Sequence, residues 1–430
     1  MSIQRSTFSN GLTLVTERVS GFRGLSIGIW VRVGTRNESS REAGLSHFLE
    51  HMLFKGTESR TALGIAREVD RAGGEFNAFT TREYTCFHLN LLARDFELGL
   101  DILSDILLNS VFEPAELERE RKVILQEIAM VEESPEEIAH DLYLENIYGR
   151  SGLGKSILGS LNRIRKLKRA DVLKFFRKHY RPDQVVFAVA GDVSHAELKR
   201  NLSKVGRGFW PGRKPPPAKL PQAQSTPAFR RGTWWVRKQT EQVHVIWGVQ
   251  GPKQQSHDRV AAYLLSTYLG GGMSSQLFQE IREKHGLAYT VYSSLMAFMD
   301  TGVLSVYVAT SPAQVGTCLK LIEQSVGRLR KELLSEEALA EVRDSVKGGL
   351  LLSDDSLETR MSSIGRAEVF GEPVFSVDEL CKQVDSVTPQ DIRRVARKYL
   401  VPAHQSVLVL GPAPTAQLKK RLRPKIVSRN

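Results

Sequence analysis

The chain has 430 residues, of which 41% are hydrophobic and 25% are charged, and its formal net charge is +12. This length is too great for one ordinary core and sufficient for two domains of about 200 residues. The composition is typical of a soluble globular protein. No apolar run approaches the roughly 20 residues that a membrane-spanning helix requires.

The N-terminal sequence and the cysteines bear on the compartment. No apolar segment typical of a signal peptide precedes the first strand pattern, and Cys86, Cys318 and Cys381 are too few and too scattered for a disulfide framework. These features favour a cytoplasmic location. The positive charge falls in local runs, and the run at 163–181 has the pattern of an amphipathic helix with a solvated face. Because no aromatic–basic signature accompanies it, nucleic-acid binding is not favoured.

The hydrophobic periodicity of the first half predicts mixed strands and helices. Strict βαβ alternation is absent, which favours an α+β fold in which helices cover a sheet. The second half repeats a similar order. The elements predicted for the first half are strands at 12–17 and 25–33, helices at 41–54 and 61–74, strands at 75–81 and 84–92, helices at 95–109 and 113–133, and a last helix before a strand at 184–190.

The two halves of the chain resemble each other. Residues 170–192 align without a gap on residues 390–412, and a constant offset of this kind indicates a duplicated domain. A segment rich in proline and polar residues separates the halves and reads as a linker. The predicted organisation is a first domain at 1–207, a linker at 208–232 and a second domain at 233–430.

Two histidines lie four residues apart in "GLSHFLEHMLFKGT" at 44–57. On a helix, His47 and His51 share a face, and Glu50 lies on the same side. Imidazole suits a catalytic zinc ion, and a nearby carboxylate can act as general base on the zinc-bound water. The alternative is an ordinary helix that carries a local Glu–His pair, but the apolar neighbours favour a buried or cleft-lining helix.

A third ligand is expected on the helix "ERERKVILQEIAMVEE". Glu120 and Glu127 lie two helical turns apart on one face. Glu127 has apolar neighbours, where a carboxylate needs a partner such as a metal ion. Glu120 would then lie outside the set of metal ligands and orient one of them. The alternative is that both are solvated helix charges.

These motifs together resemble the pitrilysin (insulinase) family of zinc peptidases with the inverted HxxEH motif. The similarity covers nearly the whole chain and includes 73–85 and 269–293. The length is similar to that of the branch containing the mitochondrial processing peptidases and their bacterial homologues. The resemblance implies one zinc ion per chain, held by His47, His51 and Glu127.

The resemblance also implies roles for other residues. Glu50 would be the general base, and Glu120 matches the second acidic residue of the family helix. Asn77, with Ala78 and Phe79 in "FNAFTT", would bind an extended peptide substrate at a strand edge.

Arg282 and Tyr289 in "REKHGLAY" match a family pair that polarises the scissile carbonyl. Without the family, a surface arginine and a core tyrosine would be the simpler interpretation. The second half has no such metal motif, because Lys347 lies 220 positions after Glu127.

The expected protein is therefore a zinc-dependent endopeptidase with two homologous α+β domains, each a mostly antiparallel sheet covered by helices, around a clam-shaped chamber. It would cleave extended or unfolded peptides, and a homodimer is favoured over a heterodimer because one chain carries all the motifs. The main alternative is a non-catalytic or latent partner subunit of a processing-peptidase-like complex. A basic protein associated with nucleic acid is the second alternative.

Overall fold

A computed structural model describes residues 2–149, 151–206 and 226–428. The predicted linker, 208–232, lies outside the described residues up to position 225. The chain forms two compact units, and the sequence-predicted boundaries at 207 and 233 remain a prediction. The first unit takes its residues from Met1–Ala129, Lys155–Gln222 and Ser353–Ser376, and the second unit from Met130–Gly154, Ala223–Leu352 and Val377–Asn430.

The strands of the described residues are β1 Ser2–Thr7, β2 Thr13–Arg18, β3 Gly24–Val31, β4 Glu75–Thr80, β5 Thr85–Leu92, β6 Val185–Gly191, β7 Gly232–Arg237, β8 Val243–Gln250, β9 Ala288–Ala297, β10 Gly302–Thr310, β11 Ser406–Gly411 and β12 Lys425–Ser428.

The α-helices of the same residues are α1 Leu45–Leu53, α2 Ala62–Arg71, α3 Phe96–Asn109, α4 Pro114–Glu133, α5 Pro135–Tyr148, α6 Leu161–Ile164, α7 Arg169–His179, α8 His195–Gly206, α9 Arg259–Gly270, α10 Val315–Lys331, α11 Glu336–Asp354, α12 Leu357–Phe370, α13 Val377–Asp385, α14 Pro389–Tyr399 and α15 Ala416–Leu422. Among these described helices, none is both long enough and apolar enough to cross a membrane.

Each unit contains a six-stranded sheet. The order is β1-β2-β6-β3-β5-β4 in the first unit and β12-β7-β11-β8-β10-β9 in the second. The only parallel neighbours in the described sheets are β2 with β6, β7 with β11 and β7 with β12. The predicted fold class, α+β with two homologous and mostly antiparallel sheets, is therefore confirmed. The clam-shaped chamber remains a prediction.

Helices cover both faces of the first sheet, as the apolar sequence of β3, "GLSIGIWV", requires. Side chains from α1, α3 and α7 form the core on one face. On the other face, Met361 and Ile364 of α12 pack against Trp30 and Val186. An ideal Cβ at Gly365 would lie 2.3 Å from the Trp30 indole nitrogen, so α12 lies very close to the sheet.

The covering helix of each unit comes from the other half of the sequence. Helix α12 is encoded after the second sheet's β10 but covers the first sheet. Helix α5 is encoded before β6, yet Leu142 and Tyr143 pack against the apolar residues of β7, β8 and β11. The two halves of the chain that the sequence repeat relates therefore do not coincide with the two compact units.

Candidate active site

Helix α1 lies against the core of the first unit through one apolar stripe. Phe48, Leu49 and Met52 are fully buried. Helical spacing then places His47 and His51 together on another side of α1, with Glu50 between them in the sequence. The two imidazole ring centres lie 4.7 Å apart.

Helix α4 brings a carboxylate to the two histidines. Ile124 and Ile128 anchor α4 in the core. Oε2 of Glu127 lies 3.7 Å from Nε2 of His47 and 3.5 Å from Nε2 of His51. The three residues offer ligand atoms that all lie within 4.8 Å of one another. The structure therefore brings together the three predicted ligands.

The donor set fits a zinc ion. The Oε2 atom of Glu127 is buried and has no hydrogen-bond partner among the described residues, and the same holds for Nδ1 of His47. A buried oxygen without a donor is costly, and a cation between the carboxylate and the two imidazoles would remove that cost. Two nitrogen ligands and one oxygen ligand leave a place open, as in catalytic zinc sites.

Glu120 contacts His51 through Nδ1, the ring nitrogen that does not face Glu127. Its Oε2 atom is 2.9 Å from Nδ1 of His51, and its Oε1 atom is 2.8 Å from Nζ of Lys55. The bond to Nδ1 leaves Nε2 of His51 free to face Glu127. Burial raises the pKa of Glu120, but the bonds to His51 and Lys55 outweigh it and hold that pKa below its usual range.

The two histidines have opposite electrostatic surroundings. Burial, together with the nearby charge of His51, lowers the pKa of His47 to about 3, so this ring is neutral near pH 7. Burial also disfavours protonation of His51, but the bond to Glu120 and the charge of Glu127 raise its pKa. A negative field therefore surrounds His51, and a cation bound at Nε2 would be stabilised by it.

Glu50 is held by the neighbouring strand. Thr80 of β4 donates a hydrogen bond of 2.5 Å to its Oε2 atom. Burial raises the pKa of Glu50, and the Thr80 bond opposes this rise. A carboxylate with a raised proton affinity is suited to general-base chemistry.

The predicted substrate strand is β4, at the edge of the first sheet. Asn77 lies opposite His88 of β5, and its side-chain oxygen accepts a 2.8 Å bond from the Ala78 N–H. Phe79 packs edge-on against Trp30. A strand edge of this kind can pair with an extended peptide, so substrate binding by Asn77, Ala78 and Phe79 stays a proposal.

The second unit brings Arg282 and Tyr289 together. Arg282 lies on a π-helical segment, Phe278–Lys284. Its guanidinium carbon lies 4.5 Å from the centre of the Tyr289 ring and 4.7 Å from that of Phe278. Such stacking holds a long side chain in one orientation.

A β-bulge aims Tyr289 outward. Ala288 and Thr290 pair with consecutive residues of β10, so Tyr289 is the extra residue between them. Its exposure is 73%, which is high for a tyrosine in a strand. The hydroxyl is therefore available to a ligand.

The position equivalent to Glu127 has a different role in the second unit. Lys347 of α11 forms ion pairs with Asp344 at 3.2 Å and Asp385 at 2.8 Å. Within the described ranges, the one cluster of histidine, cysteine or acidic residues suited to a metal is that of His47.

Comparison with known proteins identifies the family. The model of the insulinase family, peptidase family M16, matches residues 15–161, and the model of the M16 inactive domain matches residues 166–346. An uncharacterized zinc protease of Streptomyces coelicolor is 37% identical over 428 residues, covering 97% of this chain and 92% of the relative. The chain belongs to the insulinase (M16) family of peptidases. The predicted family and the predicted class of enzyme, a metallopeptidase, are thereby confirmed.

Other relatives agree with this assignment. An uncharacterized zinc protease of Bacillus subtilis is 34% identical, with 95% of this chain and 98% of the relative covered. A protease from Helicobacter pylori of known crystal structure superposes with a TM-score of 0.88 at 22% identity, covering 96% of this chain and 99% of that one. At this identity the structural match establishes the fold.

Two residues of this M16 site were missed by the sequence analysis. Thr80 could have been found from the period of two in β4, because Phe76, Ala78 and Thr80 share the face that packs toward α1. Lys55 lies one helical turn after His51, and only the fold reveals that it meets Glu120.

Proposed function

We propose that this chain is a zinc-dependent endopeptidase that cleaves extended or unfolded peptides, with one zinc ion per chain bound by His47, His51 and Glu127. The observation that supports this most strongly is the convergence of two imidazole nitrogens on a buried oxygen of Glu127 that has no hydrogen-bond partner among the described residues. A zinc ion there would polarise the scissile carbonyl and increase the acidity of the attacking water.

The protein groups around the ligands supply the rest of the proposed chemistry. Glu50 accepts the proton of the attacking water and passes it to the leaving amine, and burial supports this role by raising the pKa of its carboxyl. The hydrogen bond from Thr80 holds the Glu50 carboxylate in position for this proton transfer. Glu120 sets the tautomer and ring orientation of His51.

We also propose roles for the substrate-facing groups. A peptide adds as a strand to the open edge of β4 near Asn77, where main-chain hydrogen bonds recognise it with little regard to sequence. Arg282 and Tyr289 donate hydrogen bonds to the oxyanion that develops from the scissile carbonyl, a role that usually contributes about 10²–10³-fold to the rate. The high exposure of Tyr289 supports this assignment.

The proposed assembly is a homodimer enclosing a chamber, in the manner of the processing-peptidase branch. The reason is that a single chain carries the zinc motif and the Arg282–Tyr289 pair, so no unlike subunit is needed. Light scattering with size-exclusion chromatography tests this. Two identical chains are expected, and a requirement for a second, different chain before any cleavage appears would contradict it.

The decisive experiment compares wild type with Glu50→Gln on a mixed peptide pool while bound zinc is quantified in both. Zinc is expected in both proteins, and cleavage by Glu50→Gln is expected to fall by about 10²–10⁴-fold. Glu118→Gln is the matched control, because Glu118 is an exposed carboxylate of α4 that pairs with Arg121.

The outcomes separate the alternatives. Zinc in both proteins with cleavage in neither would favour the non-catalytic partner subunit. Absence of zinc from wild-type protein prepared with added zinc would contradict the metallopeptidase assignment for this chain.

A further inference from the structure

Helix α1 begins at a residue that cannot cap it. Gly44 precedes the first helical residue and has a left-handed backbone, with φ of 88°. An ideal Cβ there would lie 2.9 Å from the Leu158 carbonyl oxygen and 3.1 Å from Cα of Gly159. Because a side chain is excluded at this position, the usual serine or aspartate cap is not available to α1.

A distant carboxylate takes the place of the missing cap. Oε2 of Glu38 accepts a 2.9 Å bond from the Gly44 N–H, and Oε1 accepts a 2.7 Å bond from the Ser46 N–H. Glu38 is only 4% exposed. Lys155 donates to the main-chain carbonyl of Glu38 and so fixes the loop that carries it.

The capped turn is the turn that holds the first histidine. Ser46 directly precedes His47, and both lie in the first turn of α1. The first turn of a helix frays when its N–H groups lose their acceptors. Fraying would therefore move His47 before it moves His51, which lies one turn further along.

We propose that Glu38 is a positioning residue for the metal-binding helix, because it fixes the start and the rotation of α1 and so the direction in which His47 faces Glu127. This inference rests on the proposed zinc site for its functional meaning. It names a residue that touches neither the metal ligands nor the substrate, and it accounts for a carboxylate that is buried without a side-chain cation as its main partner.

The test uses the full-length protein and a matched pair of variants, Glu38→Gln and Glu17→Gln. Glu17 is a buried carboxylate of the same unit, 6% exposed, that accepts a 2.6 Å bond from Arg360. Two quantities are measured: the rate of zinc release to a chelator, and hydrogen exchange of the amides of Leu45–Leu53 in the metal-free chain. Glu38→Gln is expected to release zinc about tenfold faster, as loss of a helix cap implies.

The expected exchange result is faster exchange in the first turn of α1 for Glu38→Gln and no local change for Glu17→Gln. Glu38→Asp, made in parallel, keeps the carboxyl group but is one methylene shorter, and an intermediate effect is expected. If Glu38→Asp folds and Glu38→Gln does not, zinc release and α1 exchange are measured on Glu38→Asp alone.

Two results would overturn the inference. One is zinc release and α1 exchange in Glu38→Gln that match wild type, and the other is equal changes in Glu38→Gln and Glu17→Gln, which would mean a general loss of stability. If wild type binds no zinc, the proposed function fails, whereas the exchange measurement still decides whether Glu38 holds the start of α1.

Discussion

The two units carry the same six-stranded sheet with different chemistry on the helices above it. In the first unit, α1 and α4 bring His47, His51 and Glu127 together. In the second unit, the residue equivalent to Glu127 is Lys347, which forms ion pairs with two aspartates. The difference teaches that the scaffold positions the helices, while a few side chains decide whether a metal can bind.

The largest effect is expected when Glu127 of the first unit is replaced by lysine, the residue at the equivalent position of the second unit. Glu127→Lys removes a ligand and places a cation against two imidazoles, so zinc should be lost. Cleavage should fall by more than about a hundredfold, since loss of a mere outer-shell partner already costs 10–100-fold in such sites. Metal analysis and peptide cleavage measure both quantities. The reciprocal Lys347→Glu should leave the zinc content unchanged, because α9 offers no histidines.

The contribution of the second unit is tested at Tyr289. Tyr289→Phe keeps the ring that Arg282 stacks on but removes the hydroxyl. We expect kcat to fall by about 10²-fold with little change in KM, because only the developing oxyanion loses a donor. Steady-state kinetics on one defined peptide check this. A change in KM alone would assign Tyr289 to substrate binding instead.

Glu120 should affect the metal more than the fold. Glu120→Gln weakens the bond to Nδ1 of His51 and removes the charge near Lys55. Zinc affinity is expected to fall by about tenfold or more, measured by competition with a chelator. Unchanged zinc affinity would make Glu120 only a partner of Lys55.

Asp258 lies 220 positions after Glu38, which is the interval of the sequence repeat. The carboxylate of Glu38 accepts bonds from main-chain N–H groups, whereas that of Asp258 is bound by side chains. This aspartate precedes α9 and accepts bonds from Arg394, Lys398 and Tyr399. Burial raises the pKa of Asp258, but these partners outweigh it and lower the pKa to about 2. The carboxylate thus binds its proton less tightly in the folded state. The contribution of this carboxylate to the free energy of unfolding is present above about pH 4 and is lost as the pH falls toward 2.

Asp258→Asn should therefore lower the free energy of unfolding by about 2 kcal/mol at pH 7 and by little near pH 2. Denaturant unfolding at both pH values measures the difference. A loss that is equal at the two pH values would show that packing, and not the ionised pair, stabilises this corner of the second unit.

The smallest effects concern two helical glycines. Gly365→Ala of α12 should destabilise the protein by at least about 1 kcal/mol, because the new methyl group would overlap the buried Trp30. Gly348→Ala of α11 meets no atom within 4 Å and should stabilise by about 0.5–1 kcal/mol through helix propensity. Thermal unfolding compares the pair. Equal shifts would show that α12 does not lie tightly on the first sheet.

The proximity of the two histidines could be predicted because their spacing is local. His47 and His51 share one helix, so a period of 3.6 residues places them on one face. The apolar neighbours of Glu127 made it a candidate ligand, and the family resemblance favoured it over a solvated helix charge, because nothing local joins α4 to α1. The predicted helix at 41–54 began too early, since Gly44 has a backbone conformation that a helix does not continue.

The exchange of covering helices could not be predicted. No helix was predicted at 135–148, where the structure has α5, and the residues of α12 do not say which sheet that helix will meet. The cap formed by Glu38 was missed for a similar reason, because Glu38 lies six positions before Gly44 along a loop. Contacts that depend on the path of a loop leave no periodic signal in the sequence.

The position of α12 in the sequence has a consequence for biosynthesis. When β6 has left the ribosome at Gly191, all six strands of the first sheet exist, but the helix that covers Trp30 and Val186 begins only at Leu357. At about 5–20 residues per second, roughly 10–30 s pass before α12 is made. During that interval the nascent chain exposes an apolar sheet face, so the first unit completes its folding only when most of the second has been translated.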